Sequence, residues 1–160
     1  MIILGISIGT RTSGIAILTK RGLVHGNTVS FKNSWSEQKA QHIVRKYERF
    51  IQQHKVTVVA LKIPPLTHRT EALLLLLKQL QEMLTYHGCM VQYKTKADIK
   101  RALPGAKNTK DIMVHTARLY PPLILKHQRE LQNRNKYHDK MFEAVIVAHL
   151  CKQENSSPLN

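Results

Sequence analysis

Apolar positions open the chain in two short blocks. Ile2, Ile3, Leu4, Ile6 and Ile8 make the first, Ile15, Ala16, Ile17 and Leu18 the second, and Gly9-Thr10-Arg11-Thr12-Ser13-Gly14 lies between them. Short apolar blocks around a glycine-bounded polar turn predict a hairpin, with strands over 2–8 and 14–19. Arg21-Gly22 marks a second turn, and Leu23, Val24, Val29 and Phe31 extend the meander with a strand over 22–31. The period then changes. Ile43, Val44, Tyr47, Phe50 and Ile51 recur every three or four positions behind Ser34-Trp35-Ser36-Glu37, so a capped helix should run to about His54.

"VTVVALKI" (56–63) is β-branched and almost continuously apolar, as expected of a strand buried on both faces and stopped by Pro64-Pro65. A long helix is predicted from Thr67 to His87, ended by Gly88, and "CMVQYK" (89–94) reads as a strand. After the segment from Lys96 to Leu103 come a Pro104-Gly105 break, a helix over 109–120, and a second break at Pro121-Pro122. The polar stretch 123–135 has no assignable period. A last helix should span 136–152, with Met141, Ala144, Val145, Val147, Ala148 and Leu150 toward the core, and 153–160 reads as a tail. The order is β-β-β-α-β-α-β-α-α. A meander followed by alternating strands and helices predicts one α/β domain over 1–152, with a mixed sheet and helices on both faces.

"EALLLLLKQLQEML" is apolar on more than one face of its helix. Such a helix is either deep in the core or pressed against another chain, so a homodimer through the helix around Leu73 to Leu84 stands beside the core reading.

Charge changes the picture more than composition does. Hydrophobic residues make up 42 %, an ordinary share, but 25 Lys and Arg face 10 Asp and Glu, a net charge of +15. Self-repulsion of this size points to a polyanionic partner, and the basic residues run through the whole chain, which places the binding face on the folded domain. No window approaches the ~18 consecutive apolar residues of a membrane span, and no basic stretch with a long apolar core opens the chain. Neither a span nor a leader is expected, and the chain reads as cytoplasmic. Cys89 and Cys151 lack metal-ligand spacing and read as thiols in a reducing compartment. The nine histidines show no H-x-x-x-H pairing.

Four segments together are similar to a known family. "ILGISIGTRTSGIAIL" resembles an opening hairpin that reads I-L-G-I-D-P-G-S and then, a few residues on, G; "VVALKIPP" resembles the next central strand, which ends in a catalytic Glu. "YKTKADIKRALPGAKNTKDIMVHTARL" resembles a V-K-K-A-like run followed by a glycine and a Lys-led helix, and "HDKMFEAVIVAHL" resembles the acid-bearing closing helix. The family is the RuvC-type Holliday-junction resolvases, within the RNase H-like fold, and the segments cover about residues 2–150.

The resemblance implies an RNase H-like fold, a DNA partner in preference to RNA, and a two-metal phosphodiesterase site. Two divalent ions ~4 Å apart need several carboxylates to offset their repulsion. Here the family's first acid falls on Ser7 and its second on Lys62, while Glu143 matches the last acid and Asp139 lies one turn earlier, beside His138. The set Ser7, Lys62, Asp139 and Glu143 therefore reads as a degenerate site, with no cofactor expected, and Lys62 is expected to pair with Glu143 or Asp139. The alternative is a metal-dependent endonuclease with a reduced Mg²⁺ or Mn²⁺ site on Asp139 and Glu143, aided by Asp98 or Asp111. Thr10, Arg11, Thr12 and Ser13 are candidate phosphate contacts. Lys94, Lys96, Lys100, Arg101, Lys107 and Lys110, the densest basic stretch, match a region near bound DNA in the family. Trp35 and Tyr93 are candidates for stacking on bases.

Overall fold

The first strand is buried along its whole length, so both of its faces must be covered, and this requirement organises the molecule. The computed structural model describes residues 1–132 and 138–155. Its strands are β1 (Ile3–Ser7), β2 (Thr12–Thr19), β3 (Gly22–Ser30), β4 (Val58–Lys62) and β5 (Met90–Lys94). They form one sheet in the order β3-β2-β1-β4-β5, antiparallel through the meander and parallel from β1 to β4 to β5. The helices are α1 (Glu37–His54), α2 (Glu71–Tyr86), α3 (Lys96–Ala102), α4 (Thr109–Leu119), α5 (Ile124–Gln132) and α6 (Asp139–Asn155).

Alternation along the strands builds two cores. Leu4, Ile6, Ile15, Ile17, Val59 and Leu61 face a layer made by α1 and α2. Ile3, Ala16, Leu18, Val58 and Ala60 face α6, with α4 behind it. The sheet is mixed and covered on both faces, as the order of elements predicts.

The hairpin glycines set how closely α6 can lie on the sheet. A Cβ on Gly14 would sit 1.8 Å from the Lys140 carbonyl oxygen, and one on Gly5 would sit 2.1 Å from that of Ala144. Both positions therefore exclude a side chain so that the backbone of α6 can press onto β1 and β2. That contact carries the side chains of the first turns of α6 over the ends of the strands.

Local signals explain most boundaries. Ser36 caps α1 by accepting from the Lys39 amide at 3.0 Å, and Thr70 does the same for α2. The leucine run of α2 is mostly core: Leu73, Leu76, Leu77, Leu80 and Leu84 are buried, while Leu74 stays 51 % exposed. No described helix is long and apolar enough to cross a membrane.

Several expectations change. β2 begins at Thr12 rather than at residue 14, which draws Ser13 into the strand. The segment after β5 is a helix, α3, opened by a capping box between Thr95 and Asp98. The unassigned polar stretch holds α5, which starts directly after the turn at Pro121–Leu123. The closing helix continues to Asn155, beyond the expected end at 152, so the first residues of the presumed tail are helical; 156–160 lie outside the described residues.

Candidate nucleic-acid interface

Ser7 and Lys62 are the last residues of β1 and β4, directly opposite each other in the parallel register. Strand alternation turns both toward α6. There the Lys62 Nζ meets the Glu143 Oε2 at 2.5 Å, with both side chains largely buried. Of the two acids considered for Lys62, Glu143 is its partner. Ser7 is 2 % exposed beside them.

Asp139 is not part of this cluster. It lines a separate cavity of about 260 Å³ with Thr109, Lys110, Met113 and Leu131, between α4, α5 and α6. The residue that α6 brings to the cleft beside Glu143 is Lys140, three positions earlier. Its Nζ donates to the Thr12 carbonyl oxygen at 3.0 Å. Burial holds this ammonium below the ordinary lysine range; Glu143 opposes that shift and Lys62 adds to it. Lys140 could have been found from its i, i+3 spacing to Glu143, but Asp139 at i, i+4 satisfies the same criterion.

Ser7, Thr10, Lys62, His68, Thr70 and Lys140 line a cleft of about 250 Å³ at this end of the sheet. Two ammonium groups and one carboxylate leave it cationic. The donor set does not fit a divalent pair, because the single carboxylate already holds an ammonium and a second ammonium stands beside it. Among the described residues, no group of three or more His, Cys, Asp and Glu could hold a metal ion. Asp98 and Asp111 are committed elsewhere. Asp98 accepts from the Thr95 amide at 2.8 Å and pairs with Arg101, and those Thr95 contacts hold its carboxyl below the usual range. Asp111 accepts from the Lys107 amide at 2.9 Å.

The predicted phosphate contacts in the first turn divide. Ser13 is fully buried; its hydroxyl donates to the Gly9 carbonyl at 3.3 Å and bonds the Tyr47 hydroxyl, so it ties β2 to α1 and faces no ligand. Burial pushes the Tyr47 phenol up. Thr12 is half-buried and offers its carbonyl to Lys140. Thr10 and Arg11 remain at the surface, and Thr10 borders both the cleft and a larger cavity of about 740 Å³ lined by Arg11, Ser30, Phe31, Lys32, Asn33, Ser34, Trp35 and Lys39. Lys32 and Lys39 were not singled out by sequence reading.

The dense basic stretch is also divided. Lys94 pairs with Glu154, and Lys96 donates to the Thr109 hydroxyl at 3.0 Å. Lys100, Arg101, Lys107 and Lys110 are exposed. Lys110 lies near the start of α6 beside Asp139, whereas Lys94 and Arg101 share a cavity with Leu150 and Glu154 near its end. The Tyr93 hydroxyl accepts from Gln81 at 2.9 Å.

No protein-family model matches the chain, and no curated protein matches it in sequence. In three dimensions it superposes on RuvC of Thermus thermophilus bound to a Holliday junction substrate, with a TM-score of 0.74 over 98 % of each chain and 15 % identity. This chain has the RuvC fold. A second Thermus thermophilus RuvC structure agrees, with a TM-score of 0.72, 14 % identity and the same coverage. The RuvC-like architecture expected from the four sequence segments is thus present along nearly the whole chain.

Proposed function

We propose that this protein binds DNA, in preference to RNA, at branched or structured sites, and does so without two-metal cleavage. One observation carries the reading: on a RuvC fold, the carboxylate of Glu143 is closed by Lys62 at 2.5 Å, and Ser7 stands where the resemblance calls for another acid. An ammonium in that position repels a cation and attracts a phosphate. The net charge of +15 supports the same partner, as does the similarity to a RuvC structure solved on a junction. Thr10 at the cleft and Arg11 in the adjoining cavity, with Lys100, Arg101, Lys107 and Lys110 on the α6 side of the sheet, are the phosphate contacts of this reading. A reducing, cytoplasmic setting suits both the partner and the two free thiols, Cys89 and Cys151.

The test is a labelled four-way junction titrated across 50–200 mM salt and incubated with Mg²⁺ or Mn²⁺. Affinity is expected to fall steeply, with a slope near −0.9 per phosphate neutralised, and the strands to remain intact. Nicking that disappears in Glu143→Ala would establish the metal-dependent endonuclease instead. Pairing of two copies along α2 rests on exposed Leu74 and half-buried Leu75, because Leu73, Leu76, Leu77, Leu80 and Leu84 are buried in the core. A mass of 18.4 kDa by light scattering, with and without DNA, would remove the dimer from this reading.

A further inference from the structure

We infer that the 740 Å³ cavity beside the cleft is a binding site for an unpaired nucleotide, whose base stacks on Trp35 and whose phosphate meets Arg11, Lys32 and Lys39. The inference rests on the proposal that the protein binds nucleic acid, and it adds a defined site beside the cleft.

The volume lies within the ~300–1,000 Å³ range of small-ligand sites. Among the described residues the lining is cationic without an acid: Arg11, Lys32 and Lys39 contribute to it, and no Asp or Glu does. Lys39 is the telling residue. It is only 7 % exposed, its Nζ donates to the Asn33 carbonyl at 2.5 Å, and no ion pair among the described residues includes it. A lysine buried to that extent normally faces a counter-charge, and here only a backbone carbonyl dipole is supplied. An anionic ligand in the cavity would complete it.

The backbone on either side of the indole is anchored. Trp35 is 36 % exposed and immediately precedes Ser36, whose capping bond to the Lys39 amide fixes the start of α1. Phe31, 7 % exposed, is pinned by its amide, which donates to the Arg11 carbonyl at 2.7 Å. An indole face beside three cations is the chemistry that recognises a base and its phosphate together. A base paired inside a duplex cannot lie on the indole, so the ligand is an unpaired nucleotide. Thr10 borders both cavities, so this site adjoins the cleft.

Trp35 is the sole tryptophan of the chain, so its fluorescence reports this site directly. Titration of the wild type with a short oligothymidylate should quench it, and inorganic phosphate at the same ionic strength should not. Trp35→Ala should bind the oligothymidylate on the order of tenfold more weakly, and Trp35→Phe should recover most of the loss, the size expected of one stacked base. Both variants should bind the arms of a four-way junction within about twofold of wild type, since phosphate contacts dominate there. Steep, salt-dependent junction binding with no quenching by the single strand would overturn this inference and leave the proposed function standing. Failure to bind any nucleic acid would overturn both. Quenching by inorganic phosphate alone would reduce the site to a simple anion pocket and overturn the nucleotide assignment.

Discussion

Two cavities meet at Thr10, and their charges are arranged in opposite ways. In the cleft, Lys62 is paired with Glu143 and Lys140 donates to the Thr12 carbonyl beside that pair, so a carboxylate is built into the site. Around Trp35 the cations Arg11, Lys32 and Lys39 have no carboxylate among the lining residues. The cleft has become part of the packing that joins α6 to the sheet, while the neighbouring cavity keeps unspent charge. The contrast teaches that on this fold the position of a site and the position of its binding capacity are separable. Ionisable groups that are buried and paired act mainly on stability, and those that line a cavity without a carboxylate partner act mainly on ligands.

The comparison is broken most severely at Lys62. Lys62→Met would leave the Glu143 carboxylate buried without its partner, and the expected loss is about 3 kcal/mol of stability, read from chemical denaturation. Adding Glu143→Leu removes the orphaned charge and should restore most of that loss, because a buried ion pair contributes little beyond what an apolar pair of similar volume provides. A single variant as stable as wild type would show that the pair is solvated and that it does not act as a buried ion pair. Equal losses in the single and double variants would locate the damage in packing instead.

Lys39→Met sharpens the other half. Its ammonium makes one hydrogen bond, to a backbone carbonyl, and no ion pair among the described residues, so the stability change should stay within about 1 kcal/mol. Oligothymidylate affinity should nevertheless fall roughly tenfold, and the salt slope should shrink by about one unit. A variant that loses several kcal/mol of stability but binds as before would make Lys39 a structural residue and erase the contrast.

The difference between these sites was only half legible in the sequence. The meander, the buried run of β4 and the period of α1 follow from where apolar side chains fall, and the four family-like segments anticipated that Ser7 and Lys62 stand together. The strand register supplies the reason: β1 and β4 are parallel neighbours and end on the same pair. What could not be read was direction on a helix and depth in a turn. Asp139 and Lys140 precede Glu143 by four and three residues, spacings that share one face, and only the seating of α6 on Gly14 brings Lys140 to the cleft. Ser13 looked like a turn residue available to phosphate, yet β2 begins one residue before it and turns its hydroxyl toward Tyr47. Lys39 carried no signal, since a lysine at the start of an amphipathic helix ordinarily faces water. The polar stretch that became α5 keeps Ile124, Leu125 and Leu131 exposed, so it shows no clear buried face to detect.

The smallest expected effect comes from Lys140 and is seen only in the pH dependence. Its ammonium is held below the ordinary lysine range, mainly by burial. At neutral pH the group is charged in both states, and burial of that charge subtracts from stability. As pH rises past the depressed folded value, the folded state releases the proton first, the unfolded state holds more protons, and stability increases until the unfolded lysine also titrates near 10.5. The difference between wild type and Lys140→Met should therefore move in favour of wild type across the alkaline window below 10.5. Taking the difference cancels the titration of the remaining lysines and tyrosines common to both proteins. A difference that stays flat would mean that the Thr12 carbonyl and Glu143 fully compensate the buried charge, which would make Lys140 as closed a pair as Lys62 and leave the cleft without free positive charge for a phosphate.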